Sequence, residues 1–356
     1  IVCGPVAMGG LGYPWQVALG ANMIAGGIFV VLSATGIRFR ELIMGIIPES
    51  LKNAIAVGIG LLIALVGFQY GGIVVASPGT MVALGNPRHP EVWLSLFGTM
   101  LMGILIALRI KGAILIGIVA TALVGIPLGI VKYHGIVSLP PDIGPTLAKF
   151  DVVSFFKEPS FITVVFILFF LAVFDTVGTL VGVGEYGGFM REGKLPRAHW
   201  ALLSDALGTV VGATLGTSTI TAYIESTAGI QAGGRTGLAN MVTAFLMLIS
   251  LFFFPLVKTV AGGYEVEAGR HLYPVIAPAL IIVGSMMLGG TKRIQWDDPT
   301  ESIPAFLTMS IIPFSMSFTE GLAFGFVSYS ILKAVSGKGL KVHWLLHVIS
   351  AAFVAR

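Results

Sequence analysis

A series of apolar segments, each about as long as a bilayer is thick, is the feature that most limits how this chain can fold. The hydrocarbon core of a membrane is about 30 Å thick and takes roughly 20 helical residues to cross. Only 11% of the 356 residues are charged, whereas soluble domains have about 25%. The chain therefore cannot cover a water-facing surface, which excludes a soluble enzyme, a nucleic-acid binder and a disordered chain. The segments predicted to cross or enter the membrane are 15–36, 53–70, 92–108, 112–131, 161–184, 200–216, 217–230, 237–257, 272–290, 303–319 and 321–335.

Basic residues predict the orientation of this all-α polytopic membrane protein. If the residues before the first segment lie outside, 15 of the 21 Lys and Arg residues fall in inner connections. Such an excess is typical of cytoplasmic connections. We therefore expect a multi-pass protein of the inner or plasma membrane, with connection 185–199 and the C-terminus in the cytoplasm. The net charge of +4 comes from scattered residues, so nucleic acid is not an expected partner.

The stretch 200–230 does not read as an ordinary pair of spanning helices. It is too long for one spanning helix and short for two, and hydroxyl and β-branched residues crowd positions 217–221. We predict irregular chain there, followed by a half-helix. Such backbone is tolerated at membrane depth only where it is buried in protein or lines a cavity.

Internal similarity indicates two halves. Connection 132–160, with two adjacent prolines, is typical of a linker, and the LGANM sequence at 19–23 resembles GLANM at 237–241. Inverted repeats of this kind build many secondary transporters. The last segment, 341–356, is predicted to be an amphipathic or truncated helix. Its His343 and His347 lie four residues apart, which would allow a metal pair, but a surface helix is favoured because no third ligand is near.

Four acidic residues lie inside or at the edge of apolar segments. An ionised side chain at mid-bilayer costs about 2.5–3.5 kcal/mol on insertion scales, so intramembrane acids mark functional sites by default. Asp175 lies in an apolar run without a nearby basic residue, and Glu225 lies early in the half-helix. We predict that both are functional and that Glu225 contacts a ligand. Asp205 either caps a helix or bonds to a neighbouring helix, and Glu320 is predicted to be an interfacial charge.

The acidic residues also indicate what kind of ligand fits. A carboxylate beside the N-terminus of a half-helix combines an acceptor with backbone N–H donors. That combination suits a heterocycle with ring N–H and C=O groups. A carboxyl group in low-dielectric surroundings holds a proton more readily than in water. Asp175 or Glu225 can therefore couple transport to a proton gradient, with sodium as the alternative coupling ion.

The remaining motifs are interpreted as structural. The glycines in 182–187 follow no strand and mark a helix end, while 233–237 is an inner turn in which Arg235 anchors the cytoplasmic side. No catalytic Ser/His/Asp arrangement, HExxH motif or phosphate loop is present. Cys3 is the single cysteine, which excludes an intrachain disulfide and a cysteine metal cluster. We expect no cofactor and no metal.

Several longer motifs resemble those of one transporter family. They are FDTVGTLVGV at 174–183, DALGT at 205–209, GTSTITAYIESTAGI at 216–230 and AGGRTGL at 232–238, with further similarity at 12–36, 47–52 and 273–280. In these motifs the chain resembles the AzgA-like purine permeases of the nucleobase–cation symporter-2 superfamily. The similarity extends over nearly the whole chain.

The resemblance implies a seven-plus-seven inverted-repeat fold with fourteen spans. Substrate would lie in a core domain between two half-helices, each led by a short strand. Against fourteen spans, the eleven predicted here leave three, including the first half-helix, so we expect an N-terminally truncated chain with an incomplete site. The implied domains are a core at 1–36 and 150–262, a gate at 37–149 and 263–340, and the C-terminal helix at 341–356.

The resemblance also implies roles for individual residues. Asp175 and Glu225 would hydrogen-bond a purine, Tyr223 and Ile224 would add ring or backbone contacts, and Thr179 would assist. Asp205 would be a supporting core carboxylate, so that Asp175, Asp205 and Glu225 are the candidates for proton coupling. Members of the family generally import adenine, guanine or hypoxanthine with protons. A homodimer through the gate domain is the assembly that related folds suggest.

Other functions stay open on the sequence alone. The same fold can carry another nucleobase or a small anion, although two acidic side chains at the site disfavour an anion. An intramembrane aspartyl protease would use Asp175 and Asp205, but a second motif of that enzyme class is missing and the half-helix would be unexplained. A passive channel would need rings of like polar residues along one pore, and the sequence has no such pattern.

Overall fold

Helices make up most of the regular structure in the computed structural model. The model describes residues 13–35, 48–77, 79–157, 161–191, 195–223, 226–231, 233–267, 270–339 and 342–354. Every predicted apolar segment overlaps a helix. The helices are α1 (Trp15–Ala34), α2 (Glu49–Tyr70), α3 (Pro90–Ala107), α4 (Ala113–Gly125), α5 (Val152–Phe155), α6 (Phe161–Tyr186), α7 (Ala198–Leu215), α8 (Ser226–Gln231), α9 (Gly237–Ser250), α10 (Phe254–Ala261), α11 (Ala277–Met287), α12 (Pro299–Ser315), α13 (Phe318–Val335) and α14 (Trp344–Val354), with 3₁₀ turns at Leu251–Phe253 and Leu288–Arg293.

Local sequence signals set several helix ends. α12 begins after Asp298, whose carboxylate accepts a hydrogen bond from the Thr300 amide, and Pro299 occupies the first turn. Both features are typical of helix starts. α7 ends at Leu215, and the φ of +95° at the following Gly216 is the left-handed conformation that favours glycine after a helix. The four-residue α5 begins after Asp151, and the hydrogen bonds from Ser154 hold the pKa of this carboxyl below its usual value.

Two short β-hairpins accompany the helices of this mostly helical fold. β1 (Val74–Ser77) pairs antiparallel with β2 (Met81–Leu84), and β3 (Tyr264–Glu267) pairs with β4 (Arg270–Leu272). Each hairpin connects two helices, where the chain leaves the apolar segments. A short strand pair satisfies backbone N–H and C=O groups there, and valine residues at 74, 75 and 82 suit the extended conformation.

One compact unit comprises Ile1–Pro48, Asp142–Asn240 and Ser330–Arg356. Within it, α1 packs against α5, α6 and α7. The contact is close because it uses small residues: Ala21, Ala206 and Ala213 are fully buried. A Cβ at Gly26 would lie 3.0 Å from Cγ2 of Thr209. Small residues at helix interfaces let backbones approach closely in membranes.

The second compact unit comprises Glu49–Pro141 and Met241–Tyr329. Here α2 packs against α11 and α12, and Leu51, Ile312 and Phe326 are fully buried. Residues 241–262 lie in this unit, whereas the family resemblance assigns them to the core domain. The division into core and gate domains stays a prediction.

Helices α12 and α13 pack closely against each other inside this second unit. A Cβ at Gly321 would collide with Ile312, and one at Gly325 would collide with Thr308. One further turn along α13, the Tyr329 hydroxyl donates to Glu301 Oε1 at 3.0 Å. Glycines four residues apart therefore set the distance between the two helices.

Within the described residues, four helical stretches are long and apolar enough to cross a membrane, judged by length and composition. They are Trp15–Ala34, Glu49–Tyr70, Pro90–Ala107 and Gly237–Ala261. The last of these exposes large apolar side chains on several faces, among them the consecutive Leu246, Met247 and Leu248. A helix that is apolar all round fits lipid or a protein interior, not water.

We expect Gly321→Ala to destabilise the protein. The new methyl group must displace Ile312, and overpacking of this kind costs about 1–3 kcal/mol, against a gain of roughly 0.5–1 kcal/mol from better helix propensity. Thermal melting of the purified protein in detergent measures the effect. Gly103→Ala on α3 is the matched control, because its Cβ would meet nothing within 4 Å. Equal melting temperatures for the two variants would contradict the packing described.

Candidate functional site

The predicted core carboxylate Asp205 on α7 is joined to α6 by a buried hydrogen bond. Thr176, fully buried on α6, donates through Oγ1 to Oδ2 of Asp205 on α7 at 2.5 Å. Asp205 is only 9% exposed. A short bond to a carboxylate is among the stronger protein hydrogen bonds. Of the two roles that the sequence left open for Asp205, the structure shows the bond between helices.

The two residues that were predicted on α6, Asp175 and Thr179, lie one position before and three positions after Thr176. Thr179 is buried, three residues after Thr176. Asp175 directly precedes Thr176 on the helix, but its side chain lies outside the described residues. Successive residues on a helix point about 100° apart. The hydrogen bond from Thr176 to Asp205 therefore holds α6 against α7 at the residue next to Asp175.

The chain after α7 is non-helical, as predicted. Residues 216–223 form neither helix nor paired strand, and helix returns at Ser226 with the short α8. The short strand implied by the resemblance is thus not seen at 217–223, because a strand needs a ladder partner and none of the described residues provides one there. Thr209 on α7 donates through Oγ1 to the Ile220 carbonyl at 3.0 Å, which secures the middle of this segment.

The predicted residues at the half-helix are only partly within the described chain. Tyr223 ends the non-helical segment with 66% of its surface exposed. Ile224 and Glu225 lie outside the described residues. The six-residue α8, which begins directly after Glu225, contacts α6. The helix that carries Asp175 is therefore a neighbour of the half-helix.

The turn that follows α8 is also tied to α6. Arg235 donates through Nη1 to the Gly187 carbonyl at 3.1 Å, directly after the end of α6. The sequence predicted Arg235 as an anchor on the cytoplasmic side. The structure gives it a second role, which is to hold the connection between α8 and α9 against α6.

Sequence reasoning missed three polar residues. Thr176 and Thr209 are ordinary hydroxyl residues in helical sequence, and the only available signals were their positions next to Asp175 and one turn after Asp205. Asn22 on α1 entered the sequence analysis only as one residue of the repeated LGANM pattern, with no role of its own. The structure buries Asn22 to 4% exposure, whereas Asn240, its counterpart in the second copy, is exposed.

Acidic and histidine residues elsewhere do not assemble into a metal site within the described part of the chain. No group of three His, Cys, Asp or Glu side chains there could hold a metal ion. Nδ1 of His343 accepts from the Leu345 amide at 3.3 Å, and Nε2 of His347 lies 3.4 Å from the Gly339 carbonyl. Glu320, predicted as an interfacial charge, is half-buried in the first turn of α13, where its amide donates to the Ser317 hydroxyl at 3.3 Å.

The fold is shared with solved transporter structures. The transmembrane domain of a cyanobacterium bicarbonate transporter matches with a TM-score of 0.57 and 17% identity, covering 87% of this chain and 76% of that one. The murine Solute Carrier 26 family member A9 anion transporter, in its inward-facing state, gives 0.60 and 15% identity, covering 91% and 53%. At such low identity the likeness concerns the fold alone, and the fold is the seven-plus-seven inverted repeat expected from the sequence.

Curated relatives are much more similar in sequence. A putative permease of Methanocaldococcus jannaschii is 45% identical over 96% of this chain and 76% of its own length. A guanine/hypoxanthine permease of Bacillus subtilis is 41% identical over 96% of this chain and 75% of its own length. An adenine permease of Escherichia coli is 38% identical over 99% of this chain and 76% of its own length.

A protein-family model described as Permease family matches residues 2–328. This match and the relatives confirm the family resemblance seen in the sequence, and they set aside an intramembrane protease or any other enzyme. The protein is accordingly a multi-pass membrane transporter. The chain belongs to this permease family.

Proposed function

We propose that this protein imports a purine nucleobase, namely adenine, guanine or hypoxanthine, together with protons. The observation that carries the proposal is the 38–41% identity, over 96–99% of the chain, to relatives named as adenine and guanine/hypoxanthine permeases. The structural neighbours named for bicarbonate and other anions share at most 17% of residues. Their likeness supports a common fold and gives no support to an anion substrate.

The chemistry of the predicted site supports a heterocyclic substrate. Asp175 and Glu225 supply acceptors for ring N–H groups, while Tyr223, Ile224 and Thr179 add ring, backbone and hydroxyl contacts. Two carboxylates would repel an anion at close range. A site that binds buried substrate N–H groups also rejects analogues lacking them, because its acceptors would be left unpaired.

Proton coupling rests on the same carboxyl groups. Acidic residues inside membrane spans form proton relays in pumps and transporters. In this proposal Asp175 or Glu225, both in the substrate site, takes up the proton and releases it during transport. Asp205, which accepts the Thr176 hydrogen bond, supports this proton relay. Sodium coupling is the alternative, and the uptake assay below distinguishes the two.

The orientation and assembly follow the positive-inside pattern and the family resemblance. Connection 185–199 and the C-terminus face the cytoplasm in this proposal, and two copies associate through the gate domain. Arg235, held at the end of α6, then lies on the cytoplasmic side with Arg191 and Arg197.

Uptake of labelled hypoxanthine tests the substrate and the coupling ion together. In cells lacking their own purine uptake, we expect the protein to support uptake that a protonophore abolishes and that sodium replacement leaves unchanged. Excess adenine or guanine should compete, and uracil should not. Absence of uptake of any base, with the protein shown to be in the membrane, would overturn the proposal.

Asp175→Asn and Glu225→Gln should each lower hypoxanthine uptake about tenfold or more while the amount of protein in the membrane stays normal. Hydrogen bonds to charged groups are worth about 1.5–3 kcal/mol, which corresponds to roughly 10- to 150-fold. Asp297→Asn is the control, since this aspartate lies exposed in the connection before α12. Normal uptake by both site variants would refute the site assignment.

Asp205→Asn separates coupling from binding. The amide oxygen still accepts the Thr176 hydrogen bond, but the group no longer takes up a proton. If Asp205 supports the proton relay, uphill accumulation of purine should be lost while exchange of purine across the membrane continues. Accumulation and counterflow measured in the same vesicles test this, and a parallel loss of both activities would instead make Asp205 purely structural.

A further inference from the structure

The Thr209 hydroxyl, like that of Thr176, does not make the hydrogen bond that is usual for a threonine inside a long helix. Thr121, Thr214 and Thr308 each donate to the carbonyl four residues earlier on the same helix, which is the usual arrangement for threonine inside a helix. Thr209 lies inside α7 and is fully buried, yet it donates to Ile220 on a separate segment. Its hydroxyl therefore holds tertiary structure and not the local helix.

Ile220 is attached to α7 through its side chain as well as its carbonyl. A Cβ at Gly212 would lie 2.8 Å from Cδ1 of Ile220, and one at Gly208 would lie 3.5 Å from Cγ2. The two glycines therefore leave a shallow groove on α7 into which Ile220 packs. The carbonyl bond and the packed side chain together determine where the non-helical segment runs.

The other side of Thr209 is fixed by α1. A Cβ at Gly26 would lie 3.0 Å from Cγ2 of Thr209, so the threonine methyl group packs directly against the α1 backbone. Because the methyl group of Thr209 faces α1, its hydroxyl is free of that contact and donates to the Ile220 carbonyl. Three segments are thereby held at one buried residue.

Asp205 lies one turn before Thr209 on the same helix. It accepts the Thr176 bond from α6, next to Asp175, while Thr209 holds the segment that leads to Tyr223. The two segments that carry the predicted purine contacts, α6 and the non-helical residues 216–223, are thus both hydrogen-bonded to α7, through side chains four residues apart. Their separation is set by the helical rise between those side chains, about 6 Å.

We propose that Thr209 is a positioning residue for substrate binding. By fixing Ile220, it sets the location of Tyr223 and of the residues that follow it, without touching the substrate. This inference rests on the proposed purine site. Removal of the hydroxyl would release the segment and weaken substrate binding, whereas the helix that carries Thr209 would keep all its own backbone hydrogen bonds.

Thr209→Val tests the proposal, because valine keeps the shape and the methyl contact with Gly26 while removing the donor. We expect the KM for hypoxanthine to rise about two- to tenfold, the range that one lost hydrogen bond of typical net strength gives, with Vmax per transporter within twofold of the wild type. Thr209→Ser keeps the hydroxyl and should restore the KM. Thr214→Val, which removes a hydroxyl that donates to the Val210 carbonyl within α7, should leave the KM unchanged. An unchanged KM for Thr209→Val, or a fall in Vmax and membrane amount alone, would overturn the proposal.

A second measurement is independent of purine transport. Cys3 is the single cysteine, so Cys3→Ser combined with Tyr223→Cys gives one reporter thiol at an exposed position of the segment. We expect Thr209→Val, but not Thr214→Val, to change the rate of maleimide labelling of this thiol several-fold. An unchanged rate would refute the positioning role. If the wild type transports no purine, the proposed function fails while the labelling still decides the role of Thr209.

Discussion

The absence of water in the bilayer core governs this structure, because a backbone N–H or C=O group there must find its partner within the protein. Regular helices meet the requirement internally, and the chain meets it in this way for most of its length. The segment from 216 to 223 does not, and its carbonyl groups need outside donors. Thr209 supplies one for Ile220. At the preceding helix end, the Ala148 amide donates to the Thr214 carbonyl at 2.7 Å, and the Thr146 hydroxyl donates to the Leu215 carbonyl at 3.2 Å.

The composition of α7 follows from this requirement. The helix must approach α1 closely on one side, which Ala206 and Ala213 allow, and must admit Ile220 against Gly208 and Gly212. Between these small residues it places the polar side chains Asp205 and Thr209. A helix with large apolar residues at those positions would be equally stable in lipid but could not hold either neighbouring segment.

Much of this arrangement was predictable from the sequence, for physical reasons. Apolar runs of bilayer length locate helices because the bilayer permits little else. The hydroxyl-rich 217–221 identified the non-helical segment because β-branched and hydroxyl residues have low propensity for the interior of a helix. The hairpins at 74–84 and 264–272 escaped prediction, since their short strands lie in connections where periodicity is weak. The partner of Asp205 also escaped, because a hydrogen bond between residues 29 positions apart depends on how α6 and α7 pack, and spacing alone does not encode that.

The shared fold and the divergent sequences divide the site into two kinds of residue. Anion transporters with 15–17% identity keep the same arrangement of helices, so the helical frame does not itself choose the substrate. In the proposed site the choice belongs to side chains that face the ligand, Asp175 and Glu225, because carboxylates favour N–H donors and repel anions. Asp205 and Thr209 act on the ligand indirectly, because the groups that they hydrogen-bond belong to the protein. In this proposal the first pair determines which class of molecule binds, and the second pair determines how closely the two binding segments are held to the geometry that this molecule requires.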